Sequence, residues 1–240
     1  EVWLRLGRVR RKLAAPAREV REALVRVLGF EQDPAFEARI AARQARLALV
    51  DLELDEGDLV RAEGWLSPLV DDGTDVTRRR LAVALARRSG AELESLLQRF
   101  APEVTDAEGQ RLMGQALSLL GRFTEAVRAL TRAVVLDDGR AIDALREALM
   151  CAADLDETSL RAADTVASAW SLTRDPLWRA ALSAARGDVP AATLALGEAL
   201  AGGGQLETRS ERSAARMLAM RARRADLLAA AHPRWGAPAH

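Results

Sequence analysis

Four glycines set the frame for this chain. Gly57, Gly90, Gly121 and Gly187 each interrupt a helical pattern, at separations of 33, 31 and 66 residues. The last gap is two of the others, and its midpoint falls on another turn, "AADLDE" at 152–157. A period of this size is the mark of one small unit repeated and stacked, because a unit so short cannot bury its apolar face alone. Between the glycines the pattern is helical nearly everywhere. In Glu125–Leu136, Ala126, Leu130, Ala133 and Val134 fall on one face, with Arg128, Thr131 and Arg132 largely opposite. No stretch alternates with period two for long enough to suggest a sheet.

A second series of turns lies between the first. "VDDGTD" at 70–75 and "LDDGRA" at 136–141 stand 66 residues apart, and "FEQDPA" at 30–35, "LTRDPL" at 172–177 and "FAPEVTD" at 100–106 fill matching places. Asp caps free N–H groups at a helix start, and Pro is accepted in the first helical turn. Each unit of roughly 33 residues is therefore two antiparallel helices, and about six units fit the length. The expected bounds are 1–33, 34–73, 74–104, 105–139, 140–174 and 175–204, with an unusually long helix from about Pro34 to Glu56. After "AGGGQ" at 201–205, a more charged helix at 205–231 is expected to cap the stack, followed by a loose tail at 232–240.

One residue defies local propensity. Gly114 sits inside the helix that precedes Gly121, where glycine costs about 1 kcal/mol relative to alanine. The unit at 107–140 explains it: small residues at Gly114, Ala126 and Ala133 would let two helices cross closely, with Phe123 and Leu130 filling the groove between them. In this the chain resembles the tetratricopeptide repeat family, whose unit is a 34-residue helix hairpin with small residues at the crossings. Trp3, Leu6 and Gly7 resemble that family's Trp–Leu–Gly signature. Gly57, Leu59, Ala62 and Leu66 continue the pattern, as do Ala162, Val166 and Ala169, and Gly187, Val189, Ala192, Leu196 and Ala199. The third unit departs from it, with Val83 and Ser95 where small residues are expected, and the usual tyrosines are absent. The resemblance implies an all-α, right-handed solenoid of about six helix hairpins, with the first helix of each lining a concave groove. On this sequence that wall would hold Arg8, Arg11, Lys12, Gln44, Asp51, Arg80, Arg87, Arg111, Gln115 and Glu147.

Catalytic groups are scarce. Both histidines, His232 and His240, lie in the expected tail, so the body holds no nucleophile–His–acid set. Cys151 is the only cysteine, which rules out an intrachain disulfide and fits a reducing compartment such as the cytoplasm. With no paired Cys/His spacing, no metal site is expected. "GDLVRAEG" and "AGGGQ" lack the Lys and the preceding strand of a phosphate loop, so no nucleotide or other cofactor is expected either. The carboxylate pairs Asp71/Asp72 and Asp137/Asp138 recur at equivalent points, which favours helix-start turns over acid–base work or calcium. Trp65, Trp170 and Trp178 stand at helical spacing among apolar neighbours and read as core.

Thirty-five basic residues balance 35 acidic ones, so net charge gives no pull toward nucleic acid, and no uncharged apolar run approaches the roughly 18 residues of a membrane span. Arginine clusters at 8–12, 77–81 and 221–224 read either as solvated helix faces paired at three- or four-residue spacing or as a basic groove wall. The second reading implies a non-enzymatic scaffold that holds a partner peptide or helix, an acidic one included, by charge-assisted hydrogen bonds. The helix at 205–231 could also pair with a second copy. The start, "EVWLRLG", has no initiator Met, which suggests as an alternative a regulatory or sensor segment of a larger multidomain protein; the resemblance implies a further alternative, a subunit of a bacterial envelope or secretion assembly.

Overall fold

The computed structural model describes residues 3–7, 15–32, 35–69, 73–100, 104–136, 138–152, 155–201, and 212, 215, 216, 218–220, 222 and 223. It is all-helical, and no strand occurs among the described residues. The chain forms two compact units, Glu1–Glu103 and Val104–His240.

The first unit contains α1 (described at 3–7), α2 (Ala17–Leu28), α3 (Phe36–Glu56), α4 (Leu59–Leu66), α5 (Thr74–Arg87) and α6 (Gly90–Phe100). Helix α3 contacts α2, α4 and α5, and this explains its length and composition. One of its sides carries Ala45, Leu49 and Leu52 against Leu4, Val20, Leu24 and Val27. Another carries Leu47 and Val50 against Ala62, Leu66, Leu69, Val76 and Val83. A helix buried on two sides cannot show a single apolar stripe. Trp65 packs at the edge of both clusters. At the α1–α2 crossing, a Cβ on Gly7 would lie 2.7 Å from Leu24 Cδ2, so any side chain there would displace Leu24.

The second unit contains α7 (Ala107–Leu119), α8 (Phe123–Val135), α9 (Ala141–Cys151), α10 (Glu157–Ala169), a 3₁₀ turn (Leu172–Arg174), α11 (Pro176–Ala185) and α12 (Val189–Ala201). Its contacts form two layers: α7 touches α9 and α9 touches α11, while α8 touches α10. Gly114 faces α8. A Cβ there would lie 2.9 Å from Leu130 Cδ2, closer still to Leu130 Cγ, and 3.2 Å from the Ala126 carbonyl oxygen. Ala126 and Leu130 are fully buried.

The capping chemistry is carried by aspartates. Asp58, Asp106, Asp156 and Asp175 accept hydrogen bonds from the amides of Arg61, Gly109, Ser159 and Leu177, and Pro176 opens α11 directly after its cap. These side chains satisfy amides that the helix itself leaves unpaired.

Several expectations need amendment. Gly57, Gly121 and Gly187 have left-handed φ values of 77°, 77° and 76°, but the equivalent turn after α5 gives that conformation to Arg88, at φ 57°, while Gly90 opens α6. Thr131 is buried rather than outward-facing, because α8 is enclosed by α7, α9 and α10. Trp178 is core, whereas Trp170 is 39% exposed and lies over Gly139. Of the cap expected at 205–231, the described Ala215, Leu218 and Ala219 are buried. The tail at 232–240 lies outside the described residues, as do Asp71, Asp72 and Asp137.

Candidate functional site

In the first unit, the seam between α3 and α5 is closed by a forked ion pair. Arg79 Nε and Nη2 donate to Asp51 Oδ1 and Oδ2, each at 2.7 Å, and Nε also reaches the Leu47 carbonyl at 3.2 Å. A planar guanidinium against a carboxylate in this bidentate arrangement is the strongest of the common charged pairs. Gln44 lies on α3 seven residues before Asp51 and is half-buried. Arg80 turns elsewhere: its Nη2 donates to the Leu69 carbonyl at 2.7 Å, just beyond the end of α4. Arg87 pairs with Glu63 on α4. The groove residues picked from α5 thus reach α4, and the side chain that reaches α3 is Arg79.

The spacing on α5 does not separate Arg79 from Arg80. Val76 and Val83 are buried in the cluster shared with Leu47 and Val50. Arg79 and Arg80 both stand three and four residues from these valines, so they flank the stripe equally on its two sides, and a step of one residue, about 100°, separates the two neighbours they reach. The same offset recurs on α9. Arg146 forms a 2.8 Å bond to Asp143 and approaches Asp175 at 3.5 Å, at the start of α11. Glu147, the residue picked from the sequence, is half-buried beside it.

In the second unit, Arg111 and Gln115 are brought together. Arg111 Nε donates to Asp138 Oδ2 at 2.9 Å, Nη1 donates to Gln115 Oε1 at 3.3 Å, and Glu108 stands 3.8 Å away. Asp138 is nearly buried, and its other oxygen accepts from the Arg140 amide at 3.1 Å and from Arg140 Nε at 3.2 Å. One carboxylate therefore ties α7 to the turn that begins α9. Arg146 and Asp175 repeat that tie between α9 and α11 at a longer distance. Arg8, Arg11 and Lys12 lie outside the described residues.

Long-range pairing is the rule for these arginines, not the three- or four-residue spacing of a solvated face alone. Arg21 Nε and Nη2 hold both oxygens of the fully buried Glu53 at 2.7 and 2.8 Å. Arg128 donates to Asp156 at 2.6 Å and to Ser159 Oγ at 3.1 Å, and Arg186 holds Asp164. The guanidinium of Arg128, with the Ser159 amide and hydroxyl, keeps the Asp156 carboxyl well below the usual aspartate range. Arg122 does the same for Glu125, and the bond to Glu53 raises Arg21. Each of these shifts holds a group in its charged form, the opposite of what general acid–base catalysis near neutrality requires.

Among the described residues, no group of three or more His, Cys, Asp or Glu side chains could hold a metal ion. No described helix is long and apolar enough to cross a membrane. No family model matches this chain, and no curated protein or solved structure matches it either.

Proposed function

We propose that this chain is a non-enzymatic interaction scaffold built of helix hairpins like those of tetratricopeptide repeats, holding a partner peptide or helix against the outer faces of its first helices. The layering of the second unit supports this reading. With α7, α9 and α11 in succession and α8 beside α10, each hairpin spends its apolar faces on its neighbours. What α7 keeps for the outside is polar and held in place: Arg111 is fixed by Asp138, and Gln115 by Arg111. A prearranged polar face offers directed hydrogen bonds at little ordering cost, which suits a binding surface. The body, without a histidine and with one cysteine, supplies no set of groups for group transfer.

Photo-crosslinking on the full chain tests this. A photoreactive side chain at Gln44 on α3 or Gln115 on α7 is expected to capture a protein partner in the native source. The same group at Val60 on α4 or Leu194 on α12, both well exposed, is expected to capture none. Capture from the second-helix positions alone, or from none of the four, would overturn the assignment.

A further inference from the structure

Among the described residues of the second unit, exposed apolar side chains stand next to unpaired positive charge away from the first-helix faces, where two successive turns between hairpins meet. Helix α8 ends in Val135 and Leu136, exposed by 70% and 49%. Three residues on, the ring of Trp170, the residue after α10, stands against one side of the exposed Gly139. A Cβ at Gly139 would sit 3.1 Å from Trp170 Cη2 and 3.3 Å from Cζ3. The ring thus spans from one turn to the next, and the packing of α8 on α10 holds the two helix ends together.

Arginines frame these side chains. Arg132 is exposed one turn before Leu136, and Arg174 is exposed four residues after Trp170. Neither guanidinium has a hydrogen-bond or ion-pair partner among the described residues, in a chain where most arginines do. Arg140, whose side chain is 75% exposed, stands beside them and is paired with Asp138. The described acids nearby are already engaged. Asp138 is held by Arg111 and Arg140, Asp175 caps Leu177 and faces Arg146, and Asp143 pairs with Arg146. Helix dipoles do not set the sign either. The C-termini of α8 and α10 and the N-termini of α9 and α11 end on the same side, so their partial charges of roughly half an electron oppose one another. Arg132 and Arg174 carry positive charge that no described acid neutralises.

We infer that this patch, Val135, Leu136 and Trp170 framed by Arg132, Arg140 and Arg174, docks an acidic segment of a partner protein bearing aliphatic or aromatic side chains. The apolar side chains of such a segment would cover Trp170 and Leu136, and its carboxylates would meet the arginines. Two aliphatic side chains beside a single aromatic favour a peptide over single-stranded nucleic acid, which needs successive stacking platforms. The inference depends on the scaffold reading for the class of partner, but it names a different surface.

The probe is a fluorescein-labelled synthetic peptide of about a dozen residues alternating Asp/Glu with Leu/Phe. Its controls are a Lys-substituted counterpart, a counterpart with Ser in place of Leu and Phe, and an oligouridylate. Anisotropy titration against the full chain is expected to show saturable binding of the acidic apolar peptide only. Arg174→Glu and Arg132→Glu are expected to weaken it by about three- to tenfold each, and Trp170→Ser by about thirtyfold. Val135→Glu changes a largely exposed side chain and is expected to weaken binding while leaving the helical spectrum intact, which separates lost docking from lost folding. Arg18→Glu, an exposed change on α2, is expected to have no effect. No binding of the acidic peptide, equal binding of the Lys counterpart or the oligouridylate, or affinity unchanged in Arg174→Glu and Val135→Glu would each overturn the inference. Such results leave the first-helix assignment to its crosslinking test, so the two fail separately.

Discussion

Replacing Gly114 by alanine sets two effects of known sign against each other. In an exposed helix the change gains about 1 kcal/mol of propensity. At 114 the new methyl would sit 2.9 Å from Leu130 Cδ2, nearer to Cγ, and 3.2 Å from the backbone oxygen of Ala126, where carbon atoms prefer roughly 3.5–4 Å. Leu130 is fully buried and cannot swing out, so α7 and α8 must part. Overpacking of this kind costs about 1–3 kcal/mol. The contact involves a branching carbon and a main-chain atom rather than a flexible tip, which places it in the upper part of that range. The net expectation is a loss of about 1–2 kcal/mol, or a few degrees in the melting temperature of the second unit. Urea and thermal denaturation followed by far-ultraviolet circular dichroism measure it. Gly64→Ala is the matched control, since Gly64 is exposed in α4 with nothing within 4 Å of its would-be Cβ, and that change is expected to stabilise by about 1 kcal/mol. In a Leu130→Ala background, Gly114→Ala should lose most of its penalty, with a coupling of about 1–3 kcal/mol. If Gly114→Ala stabilised the chain as much as Gly64→Ala does, the close approach of α7 and α8 would impose no constraint and the reasoning would be refuted.

Other expectations follow from the ion pairs and turns. Arg21→Ala should cost more than Glu53→Ala, about 3–5 kcal/mol, because it strands a fully buried carboxylate while the reverse change leaves a guanidinium that can reach water; chemical denaturation of both single variants checks the order. Replacing both by leucine should recover most of the loss. Arg88→Gly should stabilise the first unit by about 1 kcal/mol, because Arg88 holds a left-handed conformation that costs L-residues roughly that much; a lower urea midpoint would contradict this. Asp156 is held charged by Arg128 and Ser159, so its folded value lies below the ordinary 3.8. Its contribution is therefore complete above that value and is lost as pH falls beneath it. Asp156→Asn keeps a capping side chain, so the stability difference between the two proteins should shrink as pH drops below about 4 in an acid titration.

The arginines that tie one helix to another were only partly legible because choosing a helix face needs its axis, and a period gives the axis only to within one residue. The step from Arg80 to Arg79 on α5, and from Glu147 to Arg146 on α9, is one residue of about 100°. It moves the side chain from one neighbouring helix to another. Counting charges alone suggested a basic wall. Asp51, Glu63 and Asp138 meet Arg79, Arg87 and Arg111 from two other helices and a turn, 28, 24 and 27 residues away in sequence, and no local window contains both members of such a pair.

Some features depended on the sequence alone. Helix positions follow from local rules: apolar spacing near 3.6, aspartate at Asp58, Asp106, Asp156 and Asp175, and glycine at Gly57, Gly121 and Gly187, where the backbone turns left-handed. Each depends on residues within one turn of one another. Gly114 was readable as a close approach because its presence has a local cost that only a neighbouring helix could offset. The tertiary structure decided the rest: which side of α3 meets α2 and which meets α4 and α5, why Thr131 is enclosed, and how Trp170 comes to lie on Gly139, 31 residues earlier. Those outcomes depend on the relative rotation of packed helices. That rotation is fixed by how the side chains of several helices interlock together, and it is absent from the spacing within any one of them.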